Sequence, residues 1–494
     1  MTAGNVLAPE LRKKVTAVYV SFKELRAAVS LQDAWLPFVL VQALVVDTVR
    51  GGLSALTRRI LRGLHNNDTA AGFWLPLPGR AGRVRVDGQV HLVSDMDAQR
   101  ATFNNKGSAG IVPCLWCSNV LAGRHADNVA GCVPVHCSRP EFFHIRTDAQ
   151  WFRLADELRA ICRPRDIVLR EKACGLNRCL DGLLFDPAAR QILPPSRATV
   201  DSTHLYFEKG CAAWEVGYII EYLVGRGVAL EALRATALQS AWRRPAQDGT
   251  CVDGLLRKLF NARMYKAAQW RGQARQCRQF VFLLRYYVWL LVEQTHGATT
   301  ETASFAQLHL CVRELRTLEY TWRVLRHADV QPLQDAQQKH QELFNAAWGS
   351  EWSKPKHHHR FHLPAACVAL GFLPTCEIHE KKHTVLKGGG LVDRMEHLLS
   401  DGLAFQKAIL PRMLQACAQE ATDAFAPWGA VEPLRAAPQD LRLRLRDESA
   451  RGRGKGALLE RAGGDSRCAL AHARRVGGSG RAMRPGKRRL PLAL

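Results

Sequence analysis

The sequence predicts a mixed α/β protein built from two or more packed units, ending in a tail that has no core. Three observations predict it. At 494 residues the chain exceeds one ordinary domain. The run Val84-Arg-Val-Asp-Gly-Gln-Val90 alternates with the period of a strand, whereas residues from about 212 to 347 repeat their apolar positions with the period of a helix. From about Glu432 onward Arg, Gly, Ala and Ser dominate, and too few large apolar side chains remain to build an interior.

Taken in order, residues 1–80 predict a mostly helical N-terminal segment. It comprises LRKKVTAVYVSFKELRAAV, the apolar run at 35–46 and VRGGLSALTRRILRGL, with a break at Gly51-Gly52. Residues 81–211 predict a mixed α/β part, with extended runs at 83–94 and 132–136 around a CxxC loop and another short extended piece in Gly182-LLFD-Pro187. A large helical insertion follows over 212–350, with amphipathic stretches at 256–295 and 303–327 and a further helix from about 333, after Pro332. Residues 351–431 are expected to form a His-rich segment with the helix region that carries Glu380, and 432–494 a disordered basic tail. There is no internal repeat.

The net charge of +24 points to a polyanionic partner, most commonly nucleic acid. Residues 441–494 hold 15 Lys/Arg against 4 Asp/Glu, a net +11, which leaves +13 on the first 440 residues. The body is therefore basic without its tail, and Arg484-PGKRR-Leu490 has the composition of a nuclear-localisation or nucleic-acid arm. No membrane span is expected, because the apolar runs Trp35–Asp47 and Phe280–Val292 are short or interrupted by charge. Met1-TAGNVLAPELRKK lacks an apolar leader, so an intracellular, reducing compartment is expected. In that setting the 15 cysteines are free, buried or metal-bound rather than paired.

Six of the eighteen histidines lie between 357 and 383, which makes metal chemistry the first functional expectation. His379-Glu380-Lys381-Lys382-His383 spells HExxH, the helical motif of zinc proteases, with Glu396 as a distant third ligand. Two features oppose that reading. Both x positions are lysine, which a buried catalytic helix would have to desolvate, and His383-Thr-Val-Leu-Lys-Gly lacks the metzincin extension. Alternatively Glu380 acts with distant carboxylates around hard cations, and Asp95, Asp97 and Asp201 are available near strand ends, where turn-forming and N-capping are their ordinary roles. Cys114-Leu-Trp-Cys117 is half of a zinc site; Cys132 with Cys137, or His358 with His362, could complete it, and a redox pair has the same spacing. His204, three residues after Asp201, is either oriented by that carboxylate or a satisfied core histidine.

Leu92-VSDMDAQRATFNNKGSAGIVPCLWCSNV, then Cys179-LDGLLFDPAARQILPPSRATVDSTHLYFEKGCAAWEV, then KPKHHHRFHLP and HEKKHTVLK resemble a family of transposase-derived proteins abundant in some protist genomes. More remotely they are similar to the transposases of CACTA-type elements. The resemblance spans roughly residues 2–400. It implies an RNase H-like core interrupted by a helical insertion, acting on DNA with Mg or Mn at acidic residues. By position it assigns Asp97, with Asp95 as its rival, and Glu380 as catalytic acids, Asp201 and His204 as accessory residues, and Cys114, Cys117, His358 and His362 as one zinc site. Lys381, Lys382 and Lys387 then become phosphate contacts. The family's first acidic residue precedes the segment matching Thr2–Lys14, so it is expected to be missing here, and Asp47, ending an apolar run, is a poor substitute. The expected function is thus metal-dependent DNA cleavage and strand transfer in origin, with a non-catalytic DNA-binding remnant as the alternative. A nuclear or soluble intracellular location and homo-oligomerisation go with either.

Overall fold

The computed structural model describes residues 15–21, 35–64, 73–76, 83–86, 89–122, 125, 129–239, 270, 272–293, 297–321 and 325–377, all within the unit Met1–Pro433. The architecture is mixed α and β, mostly helical, and among the described residues the strands pair only in twos. No described helix is long and apolar enough to cross a membrane.

The N-terminal segment departs from the helical expectation. β1 (Val15–Val20) and β2 (Leu36–Gln42) pair antiparallel, with Val15 opposite Gln42. Both are Val- and aromatic-rich runs, and in so short an apolar stretch β-branched packing outweighs a helical period. Helix does follow, in α1 (Ala43–Thr48) and α2 (Gly52–Leu64), and Gly51 at φ +88° makes the predicted break. β3 (Phe73–Pro76) and β4 (Arg83–Val86) form a second antiparallel pair, so the 83–94 run is two strands rather than one.

The pair that positions the acidic residues is parallel. β5 (Leu92–Ser94) leads into α3 (Met96–Phe103), and two-stranded β6 (Val120–Leu121) with β7 (Val133–Pro134) frames the CxxC loop. α4 (Asp148–Ala160) starts at a Thr147/Gln150 capping box, and α5 (Pro164–Cys174) has Pro at its first position and Gly175 (φ +77°) after its last. Gly182-LLFD, expected to be extended, contains a 3₁₀ turn at Leu183–Phe185 whose three side chains are all buried. α6 (Ala189–Ile192) precedes β8 (Ala198–Val200), which lies beside β5 with Ser94 opposite Val200. Trp151, Leu158, Phe103, Leu176 and Phe185 make the core of this part.

After α7 (Ser202–Tyr206), the helical expectation for 212–347 holds among the described residues. α8 (Cys211–Gly225), α9 (Leu230–Gln239), α10 (Ala274–Val288, ending in a π turn Trp289–Glu293), α11 (Thr300–Thr321) and α12 (His327–Trp348) pack around Val216, Phe280, Leu284, Phe305 and Leu308. α12 begins before Pro332 rather than after it. The Asp329 carboxylate, accepting from the Arg326 N–H at 2.9 Å, and the burial of Val330 and Leu333 hold the first turns despite the missing donor. α13 (Pro355–His359), a 3₁₀ turn (Arg360–His362) and α14 (Leu363–Leu370) close the described chain near β8. The HExxH segment with Glu380, Lys381, Lys382, Lys387 and Glu396, and the basic tail, lie outside the described residues.

Candidate metal centre

Two distant pieces of chain build the centre. The first is the CxxC loop, whose path is fixed by Asn119. Its buried side chain donates to the carbonyls of Gly131 and Phe142 and accepts from the His144 N–H at 2.8 Å. Cys117 bridges to Ile145, and the Trp116 N–H points at Cys114 Sγ, 3.3 Å away, as amides do toward a thiolate. The second piece is the α13 turn. Pro355 starts it, and four-residue spacing puts His358 and His362 on one side.

The four donor atoms of Cys114, Cys117, His358 and His362 lie within 4.8 Å of one another. Cys114 Sγ and Cys117 Sγ stand 3.4 and 3.5 Å from His362 Nε2, and the two imidazole Nε2 atoms are 3.2 Å apart. Tetrahedral zinc with Zn–S of ~2.3 Å and Zn–N of ~2.0 Å requires S···N of about 3.5 Å and N···N of about 3.3 Å. The residues therefore fit the ion.

Electrostatics agree with geometry. Burial raises the thiols, but the Cys117 hydrogen bond and the nearby His358 and His362 hold Cys114 well below its ordinary value; the Cys114 hydrogen bond, together with burial, pushes Cys117 up. The two thiols are thus pushed in opposite directions, and binding a cation there would release protons from them. Burial brings His358 down to about 4, keeping its imidazole neutral and its lone pair available. Arg146, buried over the Trp151 ring at 4.2 Å and donating to the Cys174 carbonyl, adds positive charge beside both sulfurs. Phe143 meets His358 edge-on at 4.6 Å and Trp116 lies against His362 at 4.9 Å, so aromatic rings wall the two imidazoles. Four protein ligands leave no open position, the arrangement of a structural rather than a catalytic zinc. Among the described residues this is the group of His, Cys, Asp and Glu side chains suited to a metal; Cys132 and Cys137, the other candidate completion, stay outside it.

The acidic candidates sit differently. The β5/β8 register brings Asp95 and Asp201 off equivalent ends of adjacent parallel strands, and the Asp201 N–H donates to the Ser94 carbonyl at 3.1 Å. Asp95 caps α3, accepting from Ala98 N–H at 2.6 Å. Asp97 points outward, 92% exposed, 3.4 Å from Arg100. Asp201 is fully buried, and its carboxylate accepts from the N–H groups of Thr203, His204 and Cys376 and bonds His204 Nδ1. It orients His204 and ties the end of β8 to residues 374–376, where Ser202 N–H also donates to the Pro374 carbonyl. Lys356, donating to the carbonyls of His204 and Glu208, lies within electrostatic reach of Asp95 and Asp97.

One buried network had no signature in the sequence. Arg360, between the two histidine ligands, is fully buried; it contacts His340 Nδ1 and donates to the carbonyls of His357 and Gln337 and to Gln341 Oε1 at 3.0 Å. His340 Nε2 in turn lies 3.6 Å from Glu215 Oε2, while Glu215 Oε1 accepts from Ser304 and Trp348. The metal-ligand turn is thereby locked onto α8, α11 and α12. Compared with known proteins, the chain matches no family, no curated protein and no solved structure.

Proposed function

We propose that this chain is a transposase-derived, DNA-acting protein, with an RNase H-like core interrupted by the helical segment and held together by a structural zinc. The observation that carries the reading is the joining of a CxxC loop to an HxxxH turn 248 positions away, beside a parallel strand pair ending in Asp95 and Asp201. That is the order and pairing of elements in the resembling family. The net charge of +24 supports a polyanionic partner, and DNA as that partner implies a nuclear location.

Mg or Mn, where bound, would activate water and stabilise the leaving oxygen of a phosphodiester. Toward that chemistry Asp97 and Asp95 offer carboxylates at the end of β5, Asp201 fixes the His204 imidazole, and Lys356 sets a positive charge beside them. Glu380 follows in the sequence four residues after Cys376, whose N–H is bonded to Asp201. Lys381, Lys382 and Lys387 add cations for phosphate.

A second reading, a DNA-binding remnant without cleavage, is favoured by the commitments of the described acids: Asp95 to its cap, Asp201 to four hydrogen bonds, Asp97 to solvent and Arg100. The deciding experiment is cleavage and strand joining of labelled duplex DNA in Mn²⁺ by the full chain and by Glu380→Gln. Activity lost in the variant selects the enzyme. Salt-sensitive binding without cleavage, identical in both, selects the remnant. Absence of salt-sensitive DNA binding overturns the proposal as a whole.

A further inference from the structure

The outer side of the helical segment carries a surface that the zinc centre and the strand pair do not use. α10 and α11 touch through Arg278 with Glu319, Phe282 with Arg316 and Phe282 with His309, so residue numbers fall along one helix as they rise along the other. Along this seam α10 presents 286 and 289 exposed and 278 and 282 half-buried, and α11 presents 313, 316 and 320 exposed and 309 half-buried. Steps of three and four residues make each set a single stripe. Together the two stripes run roughly 16 Å, at 1.5 Å per residue from Arg278 to Trp289.

Aromatic rings and guanidinium groups alternate along this face. Trp289 and Tyr286 stack on each other at 6.2 Å and are 43% and 47% exposed, while Tyr320 is 65% exposed with Arg316 5.8 Å from its ring centre. Three large exposed rings on one face exceed what isolated surface hydrophobics require. Burial and then the charges of Arg285 and Arg313 bring His309 down to about 4, which places both cations around the middle of the face. Among the described residues Glu319 and Glu377 pair with Arg278 and Glu314 with Arg313, while Arg316 lies over the Phe282 and Tyr320 rings. At the Arg316 end the face meets a cleft lined by Thr203, Arg278, Glu319 and Thr375, where the Thr203 N–H donates to the buried Asp201 carboxylate behind it.

From this arrangement we infer that the α10–α11 face is a track for single-stranded DNA leading toward the Asp95/Asp201 end of the strand pair. The inference rests on the DNA-acting reading above and deepens it. Unpaired bases offer π-faces to exposed rings, whereas the bases of a duplex are already stacked on one another. Arginines near the rings contact backbone phosphates, which carry no sequence information, and the rings stack on any base, so the track binds without base preference.

The test uses the full chain, without divalent metal, at 200 mM salt, where the purely electrostatic contribution of basic residues is reduced. Fluorescence anisotropy with labelled oligo(dT) and with a labelled duplex compares wild type with Tyr286→Ala/Trp289→Ala, Tyr320→Ala and Trp289→Phe. The double variant is expected to bind oligo(dT) about tenfold or more weakly. Tyr320→Ala should weaken it several-fold, Trp289→Phe should retain most affinity, and duplex binding should change less than twofold. Circular dichroism matching wild type keeps misfolding out of the comparison, and photocrosslinking of bromodeoxyuridine oligonucleotide to Trp289 or Tyr320 gives a readout that needs no variant. Oligo(dT) affinity unchanged in the aromatic variants, with crosslinks elsewhere, overturns the track while leaving duplex binding intact. Loss of self-association in the variants, with DNA binding unaffected, overturns it in favour of a contact between copies of this chain. Failure of wild type to bind any DNA defeats the underlying reading instead.

Discussion

At the residue scale, function is concentrated in side chains whose surroundings remove water. Cys114, Cys117 and His358 are fully buried, and a site of two thiols and two imidazoles so close together is stabilised by an ion that takes up their lone pairs. His362→Ala is therefore expected to abolish zinc binding at this site and to lower the Tm of zinc-supplied protein by roughly 10 °C, given that structural zinc contributes several kcal/mol or more. Metal content by atomic emission, read beside a thermal scan, checks this, and one retained zinc with an unchanged Tm would remove His362 from the ligand set. Glu215 gives a second prediction. Burial raises its carboxyl to about 7 from 4.5, so the folded state holds a proton that the unfolded state releases between those values. Its contribution is full below pH 4.5 and is lost as pH rises through 7, by about 3 kcal/mol. Relative to wild type, Glu215→Gln should thus gain stability steadily between pH 4.5 and 7 in urea titrations. A pH-independent difference would show that Glu215 does not titrate across that window.

At the scale of elements, the CxxC loop is placed by the end of a helix. Gly175 terminates α5 with positive φ, its carbonyl accepts from Lys106 N–H at 2.8 Å, and Lys172, one turn back, accepts from Ile111 N–H at 2.9 Å. A Cβ on Gly175 would lie 2.3 Å from the Val112 carbonyl oxygen. Gly175→Ala combines left-handed strain with a backbone clash that no rotamer relieves, so a loss of about 2–4 kcal/mol is expected, together with weaker zinc retention because Cys114 lies two residues after Val112. Denaturant unfolding measures the first and chelator competition the second; a loss under 1 kcal/mol would mean that the loop shifts freely. The N-terminal strands teach a related lesson. VTAVYV and LPFVLVQ satisfy a helical period, but their partners across a sheet are 16 to 27 positions away, and pairing with them is a tertiary event.

At the scale of the whole molecule, local pattern was enough for what depends on neighbours in sequence. Helices from 274 to 348, the Gly51-Gly52 break, the caps at Asp95 and Asp201 and the HxxxH face follow from periodicity, φ freedom and short polar side chains, all of them acting within one or two turns. Cys114 and Cys117 showed by their spacing that a metal was at issue, but they did not choose between two completions. Only the packed chain decides for His358 and His362 over Cys132 and Cys137, because it carries the α13 turn onto the loop across 248 positions. The same holds for Arg360, His340 and Glu215, three residues of ordinary sequence context that become one buried network when α8, α12 and the ligand turn meet. Asp201 is the sharpest instance. A short acid after Ala198-Thr-Val200 was legible as a cap, yet its bond to Cys376 and its pairing beside Asp95 depend on which strands become neighbours. The sequence by itself determined composition, charge, the helical periods and the chemical types of the ligands, which are properties of short windows. Tertiary structure decided partners, because contacts between distant segments are set by burying apolar faces against one another and not by any local preference.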